Sequence, residues 1–156
     1  MMTIETDYGT IDYEEENLIT FPDGLFGFPN LKKYLFLALD ENEESMLLMI
    51  SVDDSNVGFV LMNPFFLCPD YLPELSPQEL SFLSAKDIGE LSCYSICVVR
   101  ADYLSNTVNL KCPVIINPAT RQGMQVILGN SAYECAHEFR SFPAVTESAE
   151  VQNRKE

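Results

Sequence analysis

The chain has 156 residues, which is enough for one domain with a hydrophobic core, and 47% of them are hydrophobic, which excludes global disorder. Its formal net charge is −15, and a surface this negative repels nucleic-acid phosphates and attracts basic partners. Residues 1–55 hold thirteen acidic side chains and two lysines, a net charge of −11. We therefore expect an acidic region, a basic protein partner and no direct contact with nucleic acid.

Hydropathy and cysteine content indicate the compartment. No apolar run approaches the roughly 20 residues that a membrane-spanning helix needs. The N-terminus lacks the basic start and apolar core of a signal peptide. The five cysteines are an odd number, which excludes complete intramolecular disulfide pairing and fits reduced thiols. We therefore predict a cytoplasmic protein without a membrane partner.

The first half of the chain alternates short β-rich runs with polar turns. The runs predict strands at residues 3–5, 10–13, 18–21, 35–39, 46–52 and 57–62. The acidic segment 40–45 is predicted to be a turn. The aromatic loop 25–28 fits either the core or a binding patch, and we favour the core.

A helix signal follows. Ser76 at the N-cap, Pro77 at the first helical position and Glu79 three residues after the cap form a capping box, which predicts a helix over residues 77–85. The next β-rich run, 91–100, predicts another strand.

The most regular β signal lies in residues 107–128. Two apolar runs, 114–116 and 124–128, flank a polar loop containing proline and glycine, which is typical of a β-hairpin. Residues 131–139 fit either a final strand or a helical turn. We expect one domain over residues 1–140 and a flexible tail over 141–156, since the tail has no periodicity.

These elements together predict the fold class. Roughly eight to ten short strands, spaced by about ten residues with turn signals between them, indicate an all-β architecture. The strands and helices do not alternate along the chain as they would in a protein with a parallel sheet. We predict a mostly β protein: a small antiparallel β-barrel or sandwich-like single domain with one or two short helices.

Catalytic and metal-binding patterns are weak. The single histidine, His137, has no nucleophile elbow near it, and the chain has no glycine-rich phosphate loop, so we predict neither an enzyme nor a cofactor. Cys93 and Cys97 share one face of a strand, and a metal would need further ligands to converge there. We expect five buried or half-buried thiols and no metal. The alternative is a zinc-dependent enzyme that uses Cys93, Cys97 and His137.

Residues 65–74 combine aromatic and acidic side chains. This mixture suits an exposed ridge that a basic partner grips, although the aromatic rings fit the core equally well. The residues we predict to contact a partner are Phe65, Phe66, Asp70, Tyr71 and Glu74. The acidic loops 12–16 and 40–44 are either solvated surface or a source of electrostatic steering.

Four segments, read together, resemble the FliW family of flagellar assembly factors. They are ITFPDGLFGF (19–28), NPFF (63–66) with the following Asp70-Tyr71, VNLKCPVIIN (108–117) and QVIL (125–128). Their order and spacing also fit, and the resemblance covers residues 4–139. The chain departs from the family pattern at Cys112, where a small residue such as alanine is expected, and at Met124, where glutamine is common. Residues 133–139 follow the pattern loosely.

The resemblance implies a small, β-barrel-like, non-enzymatic protein in the cytoplasm of flagellated bacteria. Members of the family bind CsrA, an RNA-binding translational regulator, and prevent it from repressing flagellin messenger RNA. They also bind flagellin, which releases CsrA. The resemblance favours an allosteric contact that does not overlap the RNA surface of CsrA. The alternative function is a dedicated flagellin chaperone, which needs an apolar groove for a flagellin helix.

Overall fold

The computed structural model describes residues 2–6, 9–40, 43–129 and 132–142, and at 38–40, 43–45 and 103 it describes the backbone alone. Within these ranges the chain forms strands and two α-helices, α1 (Pro64–Leu67) and α2 (Pro77–Phe82). The strands are β1 (Met2–Thr6), β2 (Gly9–Tyr13), β3 (Ile19–Thr20), β4 (Lys33–Asp40), β5 (Glu43–Ser51), β6 (Gly58–Met62), β7 (Ser92–Val98), β8 (Thr107–Val108), β9 (Val114–Asn117), β10 (Gln122–Gln125) and β11 (His137–Glu138). The predicted mostly β fold is confirmed.

Seven strands close into a barrel, in the order β3, β4, β5, β6, β7, β9 and β10. Neighbouring strands are antiparallel except β10 and β3, whose single parallel pairing, Gln122 with Thr20, closes the ring. β8 pairs with the end of β7, and β11 pairs with β8. β1 and β2 form a separate hairpin. Of the two predicted architectures, the barrel is the one that forms.

Alternation along the strands gives the barrel an apolar interior. On β5, Leu47 and Met49 belong to the interior cluster, whereas Leu48 and Ile50 lie on the outer face. The interior cluster consists of Ile19, Phe21, Leu25, Tyr34, Met49, Leu61, Val114 and Ile116, with partly buried neighbours. Phe21 and Tyr34 meet edge to face, with ring centroids 5.4 Å apart. Burial of each large apolar side chain contributes about 1.5–3 kcal/mol.

The outer face of the barrel carries two further clusters. The β1–β2 hairpin covers β4 and β5 through Ile4, Leu35 and Ile50, and we call this side the hairpin flank. The larger cluster packs against β6, β7 and β9, and we call this side the helix flank. Its buried members are Met62, Leu67, Tyr71, Leu83, Cys97, Val108, Leu110, Ile115, Val126, Leu128, Phe139 and Phe142. Both helices and the segment after β11 therefore pack on one side of the barrel.

Gly123 on β10 lies against an interior ring. A Cβ atom at this position would lie 2.7 Å from Cζ of Phe21, whose side chain is fully buried and has no space to move away. Glycine therefore lets β10 approach Phe21 at the point where the barrel closes.

The predicted elements agree with the structure in type more often than in length. The predicted hairpin forms, with Asn117 opposite Gln122 and Val114 opposite Gln125. The predicted turn over 40–45 is too wide, because β4 continues to Asp40 and β5 begins at Glu43. The helix predicted over 77–85 ends at Phe82, since Leu83 is its C-cap and Ser84 has a positive φ of 56°.

The end of the described chain combines both predicted possibilities. The two-residue strand β11 is followed by a 3₁₀ turn over Phe139–Ser141. Phe142 is buried in the helix flank, and the rest of the predicted tail, 143–156, lies outside the described residues. In the part of the chain that the structure covers, no helix has the length and apolarity needed to cross a membrane.

Candidate functional site

The ridge, residues 65–74, begins where β6 ends on the helix flank. The Asn63 side chain accepts a hydrogen bond of 2.9 Å from the Phe65 N–H, and Pro64 occupies the first helical turn. This cap starts α1, which buries Pro64 and Leu67. The same short helix leaves Phe65 and Phe66 on the surface, with 40% and 49% of their side chains exposed. The cap therefore directs two aromatic rings toward solvent.

Tyr71 holds the ridge on the barrel from below. It is buried, and its hydroxyl donates a hydrogen bond of 2.7 Å to the carbonyl of Leu110. Its ring contacts Phe65 and Tyr133, at centroid distances of 5.7 Å and 4.8 Å. Burial, followed by nearby Cys93 and Tyr133, raises the pKa of the Tyr71 phenol, so the hydroxyl stays a donor. Tyr71 therefore supports the ridge and does not present its ring on the surface.

The second half of the ridge alternates exposed and buried side chains. Asp70, Leu72 and Glu74 are exposed, whereas Tyr71 and Pro73 are buried. Leu72 is 63% exposed, and its N–H donates to the Tyr133 hydroxyl at 3.0 Å, which fixes the backbone at this point. The ridge therefore presents an apolar side chain between two carboxylates.

The two ridge carboxylates have no cationic partner among the described residues. Among the described residues, the ion pairs join Arg140 to Asp102 and to Glu138. Asp70 and Glu74 are therefore available to attract a basic partner. An exposed carboxylate near an apolar side chain gives a partner both charge and contact area.

A groove borders the ridge. It has a volume of about 380 Å³ and is lined by Leu72, Glu74, Leu128 and Gly129. Two leucines and one carboxylate form its lining, so it suits an apolar side chain carried by a partly basic partner. The groove and the ridge make one continuous surface, because Leu72 and Glu74 belong to both.

Four of the five residues predicted to contact a partner are exposed on this surface. They are Phe65, Phe66, Asp70 and Glu74. The fifth, Tyr71, lies beneath them. Sequence reasoning missed Leu72 and the supporting Tyr133. No sequence pattern marks Leu72 as exposed, because it stands in an apolar run, Tyr71-Leu72-Pro73, between the two carboxylates.

The other aromatic and acidic segments lie elsewhere. In the loop 25–28, Leu25 is buried as predicted, but Phe26 is 52% exposed, so the core assignment is wrong for that ring. The acidic side chains Glu14, Glu15 and Glu16 are exposed next to Leu18, which packs in the hairpin flank. The side chains of 40–44 lie outside the described residues. The described acidic loop 14–16 therefore lies beside the hairpin flank and not at the ridge.

The candidates for catalysis and metal binding have structural roles. His137 accepts a hydrogen bond of 2.8 Å at Nε2 from the Glu134 N–H, and its ring lies 6.0 Å from that of Phe142. Burial raises the pKa of the Cys93 and Cys97 thiols to about 12, which keeps them protonated and unreactive. Across the described ranges, no three His, Cys, Asp or Glu side chains converge on a possible metal position.

The prediction that all five thiols are buried or half-buried is wrong for one of them. Cys135 is exposed, whereas Cys97 and Cys112 are buried and Cys68 and Cys93 are half-buried. Cys135 lies in the irregular segment before β11, where no strand partner covers it.

Comparison with known proteins agrees with the fold. The family model described as FliW protein matches residues 3–139. The flagellar assembly factor FliW of Symbiobacterium thermophilum is 38% identical over 118 residues, which cover 76% of this chain and 86% of that protein. The flagellar assembly factor FliW of Clostridium tetani is 37% identical over 127 residues, covering 81% of this chain and 87% of that protein.

A solved structure gives the same result. The crystal structure of the flagellar assembly factor FliW superposes with a TM-score of 0.83 at 33% identity, covering 91% of this chain and 98% of that one. The family model and the structural match each cover most of the chain. The chain therefore belongs to the FliW family.

Proposed function

We propose that this protein is a cytoplasmic flagellar assembly factor that binds the translational regulator CsrA and prevents it from repressing flagellin messenger RNA. Flagellin binds the same protein and releases CsrA. The protein acts by binding and not by catalysis. Membership of the FliW family supports the flagellar role, and the chemistry of the ridge supports the choice of a basic partner.

The side chains of the ridge are the residues that support the proposal. Phe65, Phe66 and Leu72 expose apolar surface, which is where binding free energy concentrates in protein interfaces. Asp70 and Glu74 stand next to them without a cationic partner in the described chain. An RNA-binding protein such as CsrA must carry basic side chains to hold phosphates. The ridge therefore complements CsrA in both polarity and charge.

The net charge of the protein accounts for how its binding to CsrA would weaken the binding of RNA to CsrA. The chain carries a formal charge of −15, so its arrival beside the RNA surface of CsrA places negative charge where phosphate must approach. Inhibition then needs no overlap between the ridge contact and the RNA-binding surface. This agrees with a contact outside the RNA-binding surface and predicts that inhibition of RNA binding weakens at high salt, where charges on the surface are screened.

The groove beside the ridge supports a second candidate, a flagellin chaperone without a regulatory partner. Its lining of Leu72, Leu128, Glu74 and Gly129 accommodates an apolar side chain from a flagellin helix. Binding through the groove would depend little on salt, since buried apolar area is not screened. Salt dependence therefore separates the two candidates.

A calorimetric titration tests the proposal. The protein is titrated with CsrA from the same organism at low and at high salt, and the titration is repeated with flagellin present. We expect tight binding that weakens with salt, because exposed charges are screened within about 10 Å at 0.1 M ionic strength. We also expect flagellin to abolish the CsrA signal.

Two results would contradict the proposal. Binding to flagellin without binding to CsrA would assign the chaperone function. Simultaneous binding of CsrA and flagellin without competition would exclude the release step.

A further inference from the structure

Four of the five cysteines lie together under the ridge. The thiols of Cys68, Cys93 and Cys112 surround Tyr71 closely enough to contribute to the raised pKa of its phenol, after the larger effect of burial. Cys135 extends this group to the surface, since its thiol is exposed. Cys135 is therefore the exposed member of this group of four.

Backbone hydrogen bonds bring Cys135 and Cys112 together. The carbonyl of Glu134 accepts from the N–H groups of Leu110 and Lys111, at 3.1 Å and 3.2 Å. These bonds hold the peptide between Glu134 and Cys135 against the segment that leads into β9. The Cys112 N–H donates to Oδ1 of Asn109 at 2.9 Å, which fixes Cys112 at the end of the same segment.

The two thiols are neighbours but differ in exposure. Cys135 lies close enough to Cys112 to contribute to the raised pKa of its thiol. Cys112 is buried, and Cys135 is exposed. Burial, and then the neighbouring Cys135, raises the pKa of the Cys112 thiol, so Cys112 stays protonated. An oxidant in solution therefore reaches Cys135 first, with a second thiol already beside it.

We propose that Cys135 and Cys112 form a peroxide-sensitive dithiol that closes to an intramolecular disulfide. The proposal is independent of the partner of the ridge. It rests on the pairing of one exposed and one buried thiol across hydrogen bonds between two segments that are distant in sequence.

The chemistry balances with hydrogen peroxide as the oxidant. The Cys135 thiolate attacks the O–O bond, forming a sulfenic acid and releasing hydroxide, which takes up the proton that the thiol lost. The Cys112 sulfur then attacks the sulfenic sulfur, and its proton and the sulfenic hydroxyl leave as water. In total the two thiols lose two electrons and two protons, and the peroxide becomes two molecules of water. A reducing thiol reverses the step by exchange.

The disulfide would connect the two supports of the ridge. Leu110 accepts the hydrogen bond from Tyr71, and Tyr133 accepts the hydrogen bond from Leu72. Each support lies two residues from one of the cysteines. Oxidation would therefore tie together the two segments that hold residues 71 and 72.

Peptide mapping after peroxide treatment tests the proposal. The purified protein is exposed to hydrogen peroxide, its remaining thiols are blocked, and proteolytic fragments are analysed by mass spectrometry without and with reduction. We expect a monomer that has lost two hydrogen atoms and contains one reducible link between the fragments bearing Cys112 and Cys135. Cys135→Ser and, separately, Cys112→Ala should leave less than about a tenth of the cross-link, because a disulfide needs both sulfurs.

The matched control is Cys68→Ser, which removes a half-buried thiol of the same cluster and should retain the cross-link. Oxidation of Cys135 to sulfinic or sulfonic acid without a cross-link would overturn the proposal, because it would show that Cys112 does not reach the sulfenic acid. A disulfide-linked dimer through Cys135, or a link between two other cysteines, would overturn it as well.

Discussion

The barrel interior and the helix flank are both buried, but different interactions hold them. The interior is enclosed by strand pairing on every side and is filled by large side chains such as Phe21, Tyr34 and Met49. The helix flank joins irregular segments to the barrel through a few side chain–backbone hydrogen bonds. They include those from Tyr71 to Leu110, from Leu72 to Tyr133 and from the Asn117 amide to the Leu83 carbonyl, the last at 2.7 Å.

The two regions therefore have different roles: the interior stabilises the fold, and the helix flank positions the surface that we propose contacts a partner. The side chains of the interior are enclosed by the strands and are not presented to a partner. The helix flank fixes the shape of the exposed ridge at a small number of polar contacts. Substitutions in the interior should therefore change the free energy of unfolding, whereas substitutions on the ridge should change binding.

The largest expected effect is in the interior. Phe21→Ala removes a fully buried ring that meets Tyr34 and lies against Gly123, and it leaves a cavity. We expect the free energy of unfolding to fall by about 3–5 kcal/mol, measured by urea denaturation. Phe26→Ala is the matched control, since that ring is 52% exposed, and it should change stability by less than about 0.5 kcal/mol. Equal effects of the two substitutions would mean that the interior does not dominate stability.

Replacing each of the two buried tyrosines by phenylalanine gives a sharper comparison. One substitution removes a hydroxyl oxygen from the helix flank, and the other removes a hydroxyl oxygen from the interior. Tyr71→Phe deprives the Leu110 carbonyl of its hydrogen-bond donor, and we expect a loss of about 1–2 kcal/mol of unfolding free energy. The Tyr34 hydroxyl is buried and has no hydrogen-bond partner in the described structure. We therefore expect Tyr34→Phe to leave stability unchanged or to raise it by up to about 1 kcal/mol.

Urea denaturation of both variants at neutral pH measures this difference. A large loss on Tyr34→Phe would show that the interior depends on a polar contact there. No loss on Tyr71→Phe would show that apolar packing alone holds the ridge.

A further effect on the stability of the interior is expected at alkaline pH. Burial, and then Asp53, raises the pKa of Tyr34 from 10.0 to about 12 in the folded protein. The folded state therefore holds the phenol proton more tightly than the unfolded state, and this contribution to stability is complete below pH 10. As the pH rises from 10 to about 12 the contribution is lost, because unfolding then releases the proton.

Denaturation at a series of pH values measures this response. Tyr34→Phe should lose less stability than the wild type between pH 10 and about 12. Identical pH profiles would contradict the assignment of this loss to Tyr34.

Local signals in the sequence were sufficient for several elements. The capping box of Ser76 and Glu79 predicted α2, and both of its hydrogen bonds are present, at 2.8 Å and 3.1 Å. The hairpin of β9 and β10 followed from two β-rich runs around a proline- and glycine-containing turn. These features depend on residues close in the chain, so they are readable without the fold.

Closure of the barrel and the inner part of the site depend on distant residues. The ring is closed by Gln122 and Thr20, which are about a hundred residues apart and pair at a single position. Tyr71 was predicted to contact a partner, with the core as an equal alternative, and its hydroxyl bonds to the Leu110 carbonyl 39 residues away, so that the ring turns inward. Composition did not distinguish the exposed members of the ridge from the buried one, because the exposed Leu72 and the buried Tyr71 are both apolar.

The most direct test of the account is whether the ridge binds CsrA. Asp70→Lys with Glu74→Lys reverses two charges on the helix flank, and Glu15→Lys with Glu16→Lys makes the same charge change beside the hairpin flank. All four side chains are exposed, so neither pair should disturb folding. Calorimetric titration of each variant with CsrA, after circular dichroism has confirmed its fold, gives the comparison.

We expect the ridge variant to lose at least about tenfold in affinity, which corresponds to about 1.4 kcal/mol, and the hairpin-flank variant to lose much less. Equal losses would show that overall negative charge, and not the ridge, determines binding. Unchanged affinity of the ridge variant would contradict the assignment of the CsrA contact to residues 65–74.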